Sequence, residues 1–111
     1  MIFAPEHVEM IFAGAKTQTR RQSGKYQVGK DYAIRPCRTC SADPRGRILV
    51  MDKHVEKFPF LIAAVDAEAE GGYFPVEYEM LYVDLNGRWE TRYAYTFKMM
   101  KPEGGPETRL R

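Results

Sequence analysis

Between Arg88 and Phe97 the chain alternates strictly, with Trp89, Thr91, Tyr93, Tyr95 and Phe97 on one side and Arg88, Glu90, Arg92, Ala94 and Thr96 on the other. A period of two is that of a β-strand, whose successive side chains point to opposite faces. The aromatic side must be buried or stacked on something flat. Core packing is the favoured reading, because aromatic stripes usually fill cores. Three further segments offer strands to pair with it. Thr17 to Arg21 sets Thr17, Thr19 and Arg21 against Gln18 and Arg20. Tyr32-Ala33-Ile34-Arg35 is short, and Gly46 opens a longer candidate from Arg47 to Val55, ended by Pro59.

Helical periodicity fills the gaps between these strands. Pro5 suits a first helical turn, and Val8, Ile11, Phe12 and Ala15 follow at i, i+3, i+4 and i+7, with Gly14 placed to stop the helix. Leu61, Ala64, Val65 and Glu68 fit a short helix that halts at Gly71-Gly72. Pro75, Val76, Met80 and Val83 fit another, closed by Asn86-Gly87. Strands spread through a small chain with helices at its edges give a mixed α+β domain, and a small barrel would remove the exposed sheet edges.

The chain has 111 residues, 44 % of them hydrophobic and 29 % charged, which fits one ordinary globular domain. No apolar run approaches the roughly 20 residues of a membrane helix. The segment Met1-Ile2-Phe3-Ala4-Pro5-Glu6 lacks the basic region and long apolar stretch of a secretory signal, so a cytoplasmic location is expected. The net charge of +2 hides an asymmetry: residues 14–47 hold nine Lys/Arg against two Asp/Glu. That stretch reads either as a local anion-binding face or as a solvated basic surface.

Cys37 and Cys40 lie in Pro36-Cys37-Arg38-Thr39-Cys40. This spacing is half of a zinc site and also that of a redox dithiol. His7 and His54 do not follow with zinc-finger spacing, and the turn-forming Ser41-Ala42-Asp43-Pro44-Arg45-Gly46 replaces the helix a redox motif would open. The pair is therefore read as two ordinary thiols in a surface loop, and no obligate metal is expected. A metal shared between two chains is the other reading.

The segment Gly14-Ala15-Lys16-Thr17-Gln18-Thr19-Arg20-Arg21 crosses a helix-to-strand junction and places a lysine near a threonine hydroxyl and two arginines. A threonine becomes a nucleophile only when a base takes its proton. A lysine becomes that base only when burial or a neighbouring cation lowers its pKa. Lys16 and Thr19 converge if the chain is still turning through Gly14-Ala15-Lys16. The carboxylate candidates are Glu68 and Glu70, at the end of the second helix. There the negative end of the macrodipole calls for a nearby cation or a tightly held proton.

This segment, preceded by Pro5-Glu6-His7-Val8 and followed by Val28-Gly29-Lys30-Asp31-Tyr32, resembles the ASCH domain, whose motif is Gly-x-Lys-x-x-Glu-x-Arg. Gly14, Lys16 and Arg21 match the motif, and Thr19 stands at the Glu position. Gly46-Arg47-Ile48, the run Ala67-Glu68-Ala69-Glu70-Gly71-Gly72-Tyr73 and the closing aromatic strand follow in the family's order. The resemblance covers about residues 1–98, leaving 99–111 as an expected flexible tail. It implies a PUA-like, mostly antiparallel β-barrel with two to three flanking helices. It also implies an RNA-associated role.

One branch of that family is a small amidohydrolase that removes the acetyl group from N4-acetylcytidine, using a Lys, a Thr and a Glu. By position the resemblance carries these roles to Lys16, Thr19 and Glu70, with no cofactor. Thr19 would attack the amide with Lys16 as base, or Glu70 would activate a water, and Arg21 or a backbone N–H would face the oxyanion. The alternative is a non-catalytic module in which Lys16, Arg20, Arg21, Lys25 and Arg35 grip RNA phosphates while Tyr26 or Tyr32 stacks a base. The expected partner is a modified nucleoside or RNA, with no membrane involved.

Overall fold

The structure, a computed structural model, describes residues 1–57, 62–86 and 91–101. Its elements in chain order are α1 (Pro5–Phe12), β1 (Gln18–Arg21), β2 (Asp31–Ala33), β3 (Arg47–Glu56), α2 (Ala64–Ala69), α3 (Pro75–Asn86) and β4 (Arg92–Met100). The strands form one four-stranded antiparallel sheet in the order β1-β4-β3-β2. This is an α+β fold in which the closing strand occupies an interior position. Met99 and Met100, assigned above to the tail, pair with Ile48 and Arg47 inside the sheet. Pro59, Leu61, Gly87, the first part of the alternation including Trp89, and the tail beyond Lys101 lie outside the described residues.

The sheet is not closed into the barrel that the resemblance implies, since β1 and β2 stand at its two edges. The N-terminal segment spans part of the gap between them. Phe3 N–H donates to Arg35 O at 2.9 Å and Arg35 N–H donates to Met1 O at 2.9 Å, while Arg21 Nη2 donates to Ile2 O at 2.7 Å.

Directly opposed residues of an antiparallel pair share a face. On one face lie Phe97 with Val50, Tyr95 with Thr19 and Lys53, and Tyr93 with Arg21 and Val55. Val8 and Ile11 of α1, with Phe3, Ile34 and Ile48, pack around Phe97 there to form the first core cluster. On the opposite face of the alternation Arg92 and Ala94 are buried as well. The helices α2 and α3 account for this: Ala67, Tyr78 and Tyr82 form a second cluster with Ile62, and the Arg92 guanidinium lies 4.7 Å from the Tyr82 ring centroid. The sheet therefore buries side chains on both faces, and burial alone does not follow the period of two.

A bulge in β3 decides which of its residues meet that second face. Val50 pairs with Phe97 but Asp52 pairs with Thr96, so Met51 is the extra residue. One inserted residue reverses the facing of everything after it. By parity Glu56 would share the side of Ile48 and Val50; past the bulge it pairs instead with Arg92.

Gly46 leads into β3 with no room to spare, because a Cβ there would sit 2.5 Å from the Met100 carbonyl oxygen. Gly46→Ala must shift β4 and is expected to cost about 1–3 kcal/mol, read as a lower urea midpoint. Val28→Ala, at an exposed loop position, is expected to change stability by less than about 0.5 kcal/mol.

Candidate functional site

Lys16 reaches the site because the chain keeps turning after α1. Gly14 takes φ +81°, a left-handed conformation with nothing near its Cβ position, so backbone geometry rather than space favours glycine there. Ala15 and Lys16 then both donate their N–H to Met10 O, at 2.9 and 3.2 Å. Thr17 fixes the exit: its N–H donates to Ala69 O at 2.7 Å, and its carbonyl accepts from Phe97 N–H at 2.9 Å. The end of α2 is thereby held beside the start of β1.

At that junction Lys16 Nζ donates to the Glu70 carbonyl and to Glu70 Oε1, each at 2.8 Å. It caps the carbonyl end of α2 and neutralises the carboxylate located there. Glu70 Oε2 accepts from Arg20 Nη1 at 2.7 Å. Of the two carboxylate candidates, Glu70 is buried and Glu68 is exposed.

The pairing continues beyond Glu70. Arg20 also donates Nε and Nη2 to the two Glu56 oxygens, each at 3.0 Å. Glu56 Oε1 accepts from Arg92 Nε at 2.7 Å, and Arg92 donates to both oxygens of Glu79 at 2.7 and 2.9 Å. Lys16, Glu70, Arg20, Glu56, Arg92 and Glu79 thus form a line of six charges alternating in sign. Glu56, Arg92 and Glu79 carry no motif, and sequence reasoning did not select them. Solvent reaches the network beside Glu56, which is half-buried, where Asp66 approaches Arg20 at 3.9 Å and His54 Nε2 lies 3.4 Å from Glu56.

A cavity of about 260 Å³ opens on this cluster, lined by Lys16, Thr19, Glu70, Arg21, His7 and Tyr78 among others. The Thr19 hydroxyl accepts from Arg21 Nε at 3.2 Å. Neither Lys16 nor Glu70 hydrogen-bonds to it, so the three side chains share a cavity wall without forming a bonded trio. His7, on α1, meets the Tyr73 hydroxyl through Nε2 at 2.8 Å. Burial lowers its pKa, and the Lys16 charge pushes the same way.

Burial also lowers the pKa of Lys16. Glu70 opposes that shift, while Arg21 and Arg20 reinforce it. Arg20 shows the reverse balance: burial alone would lower its pKa, but Glu56 and Glu70 together raise it, so it stays charged. Burial thus favours loss of the Lys16 proton, while the carboxylates around Arg20 hold its charge.

The residues named above as substrate or RNA contacts divide. Arg21, Lys25, Tyr26, Tyr32 and Arg35 line a second cleft that adjoins the first through Ile2 and Arg21. Arg20 does not belong to it, because its side chain is buried and its guanidinium is engaged by Glu56 and Glu70. Lys16 is likewise turned inward onto Glu70. Cys37 and Cys40 are not two thiols: they form a disulfide, the loop turning so that their Cα atoms are 5.1 Å apart, within the reach of such a bond. Among the described residues no three His, Cys, Asp or Glu side chains are grouped to hold a metal ion, and no helix is long and apolar enough to cross a membrane.

No family model matches this chain. No curated protein matches it either. Among solved structures, a tyrosine-to-phenylalanine mutant of ZmASCH from Zymomonas mobilis shares its fold with a TM-score of 0.60 at 15 % identity, over 100 % of this chain and 80 % of that one. Protein EF3133 from Enterococcus faecalis V583, of family DUF984, does so with a TM-score of 0.58 at 15 % identity, over 86 % of this chain and 71 % of that one. The chain has an ASCH-like α+β fold. At this identity the likeness speaks for the fold alone.

Glu56 gives the network a signature in acid. Burial alone would raise its pKa, but Arg20 and Arg92 outweigh that and hold it at about 2, against an ordinary 4.5. Its folded value lies below its unfolded one, so its contribution to stability is complete above about pH 4.5 and is lost as pH falls through about 2. Urea titrations across that window are expected to show a loss on the order of 3 kcal/mol. In Glu56→Gln the part due to this group disappears, leaving a flatter pH profile on a less stable protein.

Proposed function

We propose that the chain is a small amidohydrolase that removes the acyl group from an N4-acylated cytidine or a similar modified nucleoside. The observation that carries this reading is the buried Lys16–Glu70 pair in the wall of a cavity that Thr19 also lines. Lys16 uses two of its three N–H donors on Glu70. Burial and two nearby guanidinium groups favour its neutral form, as a general base requires. A lysine serving only to grip phosphate gains nothing from a carboxylate at 2.8 Å.

In the proposed reaction Thr19 Oγ1 attacks the carbonyl carbon of the N4-acyl group as its proton passes to neutral Lys16. Arg21, already donating to that oxygen from 3.2 Å, faces the negative charge that develops on the carbonyl oxygen. The tetrahedral intermediate collapses with cleavage of the C–N bond, and Lys16 returns the proton to the departing N4 amine. Water then hydrolyses the threonyl ester, releasing the carboxylic acid. Both Glu70 oxygens are engaged, by Lys16 and Arg20, which supports a role in holding Lys16 rather than in activating water. The cavity, at about 260 Å³, suits one nucleoside base rather than a duplex.

Incubating the protein with N4-acetylcytidine is expected to yield cytidine and acetate, followed by chromatography. Lys16→Ala and Thr19→Ala should each lower kcat/KM by about 10² or more. Because Lys16 must be neutral to accept the proton, kcat/KM should rise with pH and level off at a value below the ordinary lysine pKa. Glu70→Gln removes an anion that favours the charged lysine, so the rising limb should move to lower pH. Absence of turnover, or full activity in Lys16→Ala, sinks this reading.

A further inference from the structure

The arginines divide sharply by partner. Of the seven among the described residues, Arg20, Arg45, Arg47 and Arg92 each pair with a carboxylate. Arg21, Arg35 and Arg38 pair with none, and all three line the second cleft together with Lys25. That cleft, of about 500 Å³, has no acidic residue among the described residues of its lining. Arg21 is held without neutralisation, by Ile2 O at 2.7 Å and over the Phe3 ring at 4.7 Å. Arg38 lies within the loop closed by the Cys37–Cys40 disulfide. Tyr26 and Tyr32 meet edge to face at 5.0 Å and give the cleft an aromatic wall.

Four cations gathered without counter-ions repel one another, and an anion bound among them relieves that repulsion. Forked guanidinium donors match the oxygens of a phosphate. The cleft shares Ile2 and Arg21 with the cavity of Lys16 and Thr19, so a single ligand can occupy both.

We infer that the second cleft is a phosphate subsite, and that the substrate is a nucleotide whose phosphate sits among Arg21, Lys25, Arg35 and Arg38 while its acylated base enters the cavity. The inference deepens the amidohydrolase reading and rests on it for the position of the base. The phosphate can belong to a free mononucleotide or to an RNA strand, and the chemistry of recognition is the same.

Two measurements test it, one independent of turnover. By calorimetry, cytidine 5′-monophosphate should bind at least about tenfold more tightly than cytidine, the ratio that one charge-assisted contact supplies. The double variant Arg35→Ala/Arg38→Ala should bring that ratio close to one, whereas Lys98→Ala, an exposed cation on β4 outside the cleft, should leave it unchanged. In turnover, N4-acetylcytidine 5′-monophosphate should show a lower KM than the nucleoside. A short oligoribonucleotide bearing one acetylated cytidine should surpass the mononucleotide if the natural phosphate belongs to RNA, and fall behind it if the substrate is free. Phosphate-dependent binding without turnover of any of these would retain the subsite and overturn the reaction. Equal affinity for nucleoside and nucleotide would overturn the subsite, whatever the enzyme hydrolyses.

Discussion

The line of alternating charge from Lys16 through Glu70, Arg20, Glu56 and Arg92 to Glu79 holds the sheet, the helices and the cavity in one geometry. It takes one side chain each from the turn before β1, the end of α2, β1, β3, β4 and α3. Desolvating an isolated charge is costly, and a buried ion pair only roughly offsets that cost when its hydrogen bonds are complete. Here almost every charge has opposite charges or hydrogen-bond donors and acceptors at close range. Glu79 Oε2, at one end, also accepts the Ile62 N–H at 2.8 Å. Removing an interior member strands its neighbours in a buried setting, at about 3–5 kcal/mol, so no element carrying one of these residues can move independently.

The Lys16–Glu70 end of the line meets the cavity. Glu70 is fixed from one side by Arg20, which remains charged, and on the other holds Lys16, whose proton burial makes easier to lose. With Lys16 protonated, three cations face three carboxylates, so the line carries no net charge. The positive surplus lies elsewhere. Of the nine cations between residues 14 and 47, Lys16 and Arg20 are neutralised inside and Arg45 and Arg47 pair at the surface, while four of the remaining five line one cleft beside the cavity.

Much of the architecture was legible in the sequence because its signals are local. Pro5 and Gly14 bracket α1, Pro75 opens α3, and the Tyr93–Phe97 alternation marks β4. The basic stretch showed as charge, but not which of its members were free. Arg20 and Arg21 are neighbours of the same residue type with opposite fates, since adjacent strand positions face opposite sides. Only the Arg20 side meets carboxylates, from Glu56 and Glu70. The Cys-x-x-Cys spacing and the turn residues after it were read as two thiols, but the turn of the loop brings the pair within reach of a disulfide.

The sequence by itself determined the element order and the α+β class, because periodicity and caps act over a few residues, and it drew attention to Lys16 and Thr19 but left Glu68 and Glu70 as alternatives. Only the tertiary structure decided that Arg92 is buried, that Glu56 joins Arg20 and Arg92, and that the free cations separate from the paired ones. The partners in the charge line stand up to 54 residues apart. The bulge at Met51 that turns Glu56 toward them has no glycine or proline to announce it. An ion pair depends on where two side chains end up in space, and that is fixed only when the sheet and helices pack together.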